Sequence, residues 1–162
     1  LHARVNVGDV IDVSAPTGEL YLKEGNNPVL LVSAGIGITP ILAMLQDIAA
    51  KNPQRPVKVL HVARTADDFA LKKEVREAVA KLEKGECAVY LTQATETKEM
   101  CPCFKLSRPD AAAVAALEPA AESDVYICGP VSFMDDMRET FVAAGVPAAN
   151  VHSEAFGTGN QS

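Results

Sequence analysis

From residue 28 onward the chain alternates two hydrophobic rhythms. Short, almost uninterrupted apolar runs occur at 28–33 (PVLLVS), 57–62 (VKVLHV), 87–92 (CAVYLT), 124–128 (DVYIC) and, more weakly, at 150–153. Between them, residues 39–50, 67–82, 109–117 and 131–144 space their apolar positions as a helix does, for example Ile41, Leu42, Leu45 and Ile48. Continuous short runs bounded by turn residues read as strands buried on both faces, and amphipathic stretches as helices covering them. The alternation predicts an α/β fold: a five-stranded parallel sheet with helices on both faces and right-handed crossovers. The first strand leads into a glycine turn, so it is expected near the sheet centre, beside the switch point.

Residues 1–26 follow neither rhythm. Val5, Val7, Val10 and Val13 flank Gly8-Asp9, and residues 15–18 (APTG) are a turn signal. So few strands cannot bury both faces, and the chain opens on Leu1, so this part reads as the tail of a β domain in a fragment of a longer chain. Residues 25–28 (GNNP) form a polar linker. The expected division is a truncated β domain at 1–26 and an α/β domain at 27–162. Residues 93–108, polar and then containing Cys101-Pro102-Cys103, fit no element and read as a surface excursion.

Composition narrows the function classes. The 162 residues suffice for one domain with a real core. A net charge of -6 without any Lys/Arg block argues against a nucleic-acid surface. The longest apolar stretch, around Val29–Ile38, is too short to cross a bilayer, and no secretory signal is visible. Cys87, Cys101, Cys103 and Cys128 make no disulfide framework in a chain of this length and match neither a zinc ribbon nor a ferredoxin cluster. No metal site and a reducing, cytoplasmic setting are expected.

Residues 29–40 (VLLVSAGIGITP) carry the clearest chemistry. A buried strand enters a turn with Gly35 and Gly37, and a helix follows. Thr39 is suited to cap that helix and Pro40 to its first position. Free N–H groups of the first turn would then favour a phosphate, most naturally a nucleotide diphosphate. The turn alone is equally compatible with plain packing of helix on strand, and it is not G-x-G-x-x-G, because Pro40 holds the third glycine position. A second strand ends at Cys128-Gly129-Pro130, the edge where open α/β sheets bind ligands. Taken singly, that turn reads more simply as a buried structural cysteine and a bend. Near the C-terminus, in HSEAFG, Phe156 either closes the core or stacks on a planar ligand.

Together, AGIGITP, YICGPVSFM and HSEAFG, in this order and spacing, resemble the ferredoxin-reductase-like superfamily, with the reductase part of flavohaemoglobins most similar. The opening LHARVNVGDVIDVSAPTGELYL resembles the end of that family's FAD-binding β-barrel. The resemblance implies a Rossmann-like sheet with strand order 3-2-1-4-5. It implies that Gly35, Ile36, Gly37, Ile38, Thr39 and Pro40 hold the NAD(P) diphosphate, with Thr39 near the nicotinamide. By the same likeness Cys128, Gly129 and Pro130 lie beside that ring. The segment Glu154, Ala155, Phe156, Gly157 and Thr158 would place Phe156 over the flavin; Thr158 stands where the family continues with Pro. The implied activity is hydride transfer from NAD(P)H to FAD and electron transfer onward to haem, as in a nitric oxide dioxygenase. FAD would sit in a barrel domain and haem in a globin domain, both outside these residues; the barrel's flavin motif and a globin's haem-ligating His are absent from them. No acid–base residue is required. His2, His61 and His152 read as structural or surface residues.

Two other readings remain: the reductase component of an iron–sulfur oxygenase, and a nucleotide-binding module without turnover. Cofactor choice turns on Arg64, Thr65, Asp67 and Asp68, at the end of the second strand. Arg64 can pair with a 2′-phosphate, whereas an acid there can bind a ribose 2′-OH. Asp67 and Asp68 read as ordinary loop residues. The resemblance favours NADH over NADPH.

Overall fold

The apolar runs form the predicted parallel sheet. The computed structural model describes residues 4–13, 15, 18–94 and 101–154. Its strands are β1 (Val29–Ala34), β2 (Val57–Ala63), β3 (Gly85–Leu91), β4 (Phe104–Lys105), β5 (Asp124–Cys128) and β6 (Val151–Ser153). Their order is β4-β3-β2-β1-β5-β6, and every neighbouring pair is parallel. The five expected strands stand in the expected order, and a sixth corrects the count. β4 carries no apolar run. It exists because it lies along β3, where the Val89 N–H donates to the Cys103 carbonyl at 2.8 Å.

The period of two along each strand divides the core. Val29, Leu31, Val57, Val59, Val89 and Tyr126 face α1 (Ile38–Lys51) and α2 (Lys72–Val79). Leu30, Val32, Leu60, Val125 and Ile127 face α3 (Ala111–Ala115) and α4 (Val131–Ala143). A central strand covered on both sides needs apolar residues at every position, which is why these runs lack alternation. The helices are shorter than expected where side chains intervene. The Asp68 carboxylate ties the Thr65 N–H and hydroxyl into a turn, and Leu71 then takes φ +56°, so α2 starts only at Lys72. Asp110 caps α3 by accepting from the Ala113 N–H at 3.0 Å.

The approach to β1 is tied down rather than loose. The Leu20 N–H donates to Glu154 Oε2 at 3.0 Å, and the Lys23 N–H to the Tyr126 hydroxyl at 2.9 Å. Arg55 donates to the carbonyls of Lys23 (3.0 Å) and Asn27 (2.7 Å), and meets Asp124 Oδ2 at 3.4 Å. Leu20 and Leu22 pack against the core on the α1 side. Residues 18–27 therefore form a strap down one face of the sheet. Upstream, residues 5–13 carry no strand; Val7, Val10 and Val13 are exposed and no described segment pairs with them.

His61 is structural. It is 0% exposed, its Nδ1 lies 2.9 Å from Ser33 Oγ, and its ring stacks on Phe69. Burial pushes its pKa down from 6.5 to about 4. Between those values the unfolded chain holds a proton that the folded chain refuses, so stability falls as pH drops through this window. The loss should total about 3 kcal/mol by pH 4. Urea midpoints measured from pH 7 to 4 should show this slope, and His61→Gln should lack it. Parallel pH profiles for the two proteins would count against the assignment.

Candidate functional site

β1 ends in a 3₁₀ turn, Gly35–Gly37, that runs directly into α1. The helix begins at Ile38, so Thr39 and Pro40 are its second and third residues, and Thr39 is not the cap. The preceding Gly37 has helical φ and ψ (-57°, -9°) and no side chain to offer, and the Thr39 hydroxyl turns back to the Ile36 carbonyl at 3.0 Å. Pro40 is tolerated because an N–H in the first turn has no intrahelical acceptor.

The two glycines do different work. Gly35 has φ +54°, is exposed, and would bear a Cβ in open space. Gly37 is buried, and a Cβ there would collide with the Cys128 carbonyl and lie 2.9 Å from the Gly129 nitrogen. The turn after β1 thus sits directly on the turn after β5. Gly129 is pressed in the same way between Phe133 and Ala34. Pro130 leads into α4. These two turns send α1 to one face and α4 to the other, which opens a crevice at the carboxyl edge between β1 and β5.

An opening of about 440 Å³ lies at that edge, lined by Ala34, Gly35, Ile36, Ala63, Arg64 and Pro130 among others. Its size falls within the range of small-molecule sites. Of the expected residues, Gly35, Ile36, Arg64 and Pro130 line it. Ile38 is fully buried core, and Cys128 is 2% exposed. Burial raises the Cys128 thiol pKa, with the Glu154 carboxylate adding to the shift. The Cys128 Sγ donates to the Glu154 carbonyl at 3.6 Å. The Glu154 carboxylate holds the strap at Leu20. Ala155, Phe156, Gly157 and Thr158 lie outside the described residues.

Arg64 is already paired. Its guanidinium meets Asp68 Oδ1 at 2.9 Å, and Asp68 Oδ2 accepts from the Thr65 hydroxyl and N–H. These hydrogen bonds, from Thr65 first and Arg64 second, hold the Asp68 carboxyl below its ordinary range. Asp68, read from sequence as an ordinary loop residue, lines the opening with Arg64. Val62, Ala70 and Thr92 complete the wall. They carry no distinctive chemistry; the one signal for them is that ligands gather at the carboxyl ends of parallel strands.

Residues 31–139 match the family described as oxidoreductase NAD-binding domain. The chain belongs to that family. A flavohemoprotein of Bordetella pertussis is 34% identical over 161 residues, covering 98% of this chain and 40% of its own length. The flavohemoglobin of Malassezia yamatoensis, solved with bound FAD and heme, superposes with a TM-score of 0.71 at 32% identity, over 82% of this chain and 32% of that one. The FAD/NAD binding domain of nitric oxide dioxygenase from Vibrio cholerae gives a TM-score of 0.75 at 29% identity, over 88% and 56%. This NAD-binding domain therefore spans about 40% of the length of the Bordetella relative. Among the described residues no helix is long and apolar enough to cross a membrane, and no group of three or more His, Cys, Asp or Glu is placed to hold a metal.

Proposed function

We propose that this NAD-binding domain holds a nicotinamide dinucleotide across the crevice between β1 and β5, within a longer flavohaemoglobin-type reductase. In that reading residues 1–26 end an FAD-binding barrel, electrons pass on to haem in a globin domain, and the whole chain acts as a cytoplasmic nitric oxide dioxygenase. The observation that carries the proposal is the crevice itself: two glycine-bearing turns, stacked backbone to backbone, at the switch point of a parallel sheet. When bound, reduced nicotinamide supplies a hydride and flavin divides it into single electrons. The protein binds and orients. The N–H groups at the Gly35–Gly37 turn face a diphosphate with partial positive charge. Ala34, Val62, Ala63 and Ala70 give the opening an apolar wall. Cys128, buried beneath the opening, spaces the two turns, and burial raises its thiol pKa and so disfavours the thiolate.

NADH is the preferred cofactor in this reading. A 2′-phosphate beside Arg64 would have to share the guanidinium with Asp68 and face that carboxylate. Titrating the chain with NADH and NADPH by calorimetry tests both points. Saturable NADH binding, several-fold tighter than NADPH, is expected, and Asp68→Asn should close the gap by freeing Arg64. No binding of either nucleotide by the folded chain would overturn the site. Retained binding with an unchanged ratio in Asp68→Asn would overturn only the discrimination.

A further inference from the structure

The four cysteines occupy three environments. Cys128 is buried beneath the crevice. Cys87 is half-buried, and desolvation pushes its thiol pKa up to about 11. Cys101 and Cys103 are half-buried, flank the exposed Pro102, and are joined as a disulfide with Cα atoms 5.2 Å apart. This is a local pairing two residues apart and not a framework.

We propose that Cys101-Pro102-Cys103 is a reversible dithiol/disulfide site for a low-molecular-weight thiol and its disulfide, and that its oxidation state decides whether β4 covers the edge of the sheet. Three observations carry this. The bonded cysteines are the residues whose carbonyls build the edge: Cys101 accepts from the Phe104 N–H at 3.0 Å, and Cys103 from the Val89 N–H at 2.8 Å. β4 itself is only Phe104 and Lys105, too short to persist on ladder bonds alone. Its other support is packing, with Cys103 and Phe104 against the core and the Arg76 guanidinium 5.7 Å from the centre of the Phe104 ring. Closing a small ring through these residues removes freedom that the open form would have. The other two cysteines are disfavoured as thiolates by burial, so exchange is directed to this pair.

The reaction balances with one co-reactant. A thiolate RS⁻ attacks one sulfur of the pair, the Cys101–Cys103 bond breaks, and the second sulfur leaves as a thiolate that takes a proton. A second RS⁻ attacks the R sulfur of the mixed disulfide and releases the other cysteine. The protein gains two electrons and two protons, and two RSH become RSSR. Excess RSSR drives the reverse. The carboxyl end of β3 lies beside the crevice, where the Thr92 and Gln93 N–H groups donate to the carbonyls of Ala63 and Arg64.

The test incubates the chain in glutathione buffers of graded thiol/disulfide ratio, quenches with acid, alkylates, and weighs the peptide containing residues 101–103. Hydrogen exchange at the Val89 amide is followed in the same samples. The peptide should pass between no alkyl group and two, reversibly, while Cys87 and Cys128 stay thiols. The Val89 amide should exchange about tenfold faster or more in the reduced form. The double variant Cys101→Ser/Cys103→Ser should match reduced protein in every buffer. A pair that stays dithiol at all ratios, or stays bonded in excess dithiothreitol, overturns the site. Val89 exchange that is equal in both forms, or a double variant that matches the oxidised form, overturns the control of β4.

Discussion

Gly37→Val should destabilise the protein by about 3 kcal/mol or more, before any ligand is added. The added Cβ meets the Cys128 carbonyl and the Gly129 nitrogen, which are backbone atoms held by a central strand. Neither can swing aside as a side chain would. Gly35→Val is the informative contrast. At φ +54° it incurs about 1–2 kcal/mol of left-handed strain, but its side chain enters open space at the crevice. Chemical denaturation should therefore rank Gly37→Val far below Gly35→Val. NADH titration of folded Gly35→Val should show weakened binding. A Gly37→Val protein within about 1 kcal/mol of the parent would refute the packing account.

The pair also shows what could be read in advance. Both glycines stand out in the sequence, but only Gly37 makes a close backbone approach; Gly35 instead takes φ +54° beside open space. That Gly37 packs against the Cys128 turn depends on a contact between distant segments that no local pattern encodes. β1, β2 and β5 were legible because strands buried on both faces must be apolar throughout. Phe104–Lys105 was not, because its place depends on the carbonyl of Cys103 and on no hydrophobic run. The sequence offers Arg64 as a partner for a 2′-phosphate or as an ordinary loop residue, but not its pairing with Asp68, which reaches it only because the chain turns back before α2. Thr39 carried a capping signal that the 3₁₀ turn overrode.

Arg55→Met is expected to cost about 3–5 kcal/mol. Arg55 and Asp124 are 4% and 5% exposed. Without the guanidinium, Asp124 keeps a buried charge with His152 Nε2 3.8 Å away, and the carbonyls of Lys23 and Asn27 lose their donors. Asp124→Asn added to Arg55→Met should recover part of the loss, because the stranded charge is then gone. Guanidinium denaturation of the two single variants and the double variant measures this. A loss below about 1 kcal/mol in Arg55→Met would show that the strap does not depend on this anchor.

The strap joins parts of the chain that are made at very different times. Arg55 reaches Lys23 and Asn27 across separations of 32 and 28 residues, whereas the bond from Leu20 to Glu154 spans 134. Closing the longer loop costs about 1 kcal/mol more in chain entropy. It also has to wait until β6 and Glu154 have been synthesised. On these grounds the strap is expected to close from the amino edge of the sheet toward the crevice, with the seam beside Glu154 closing last.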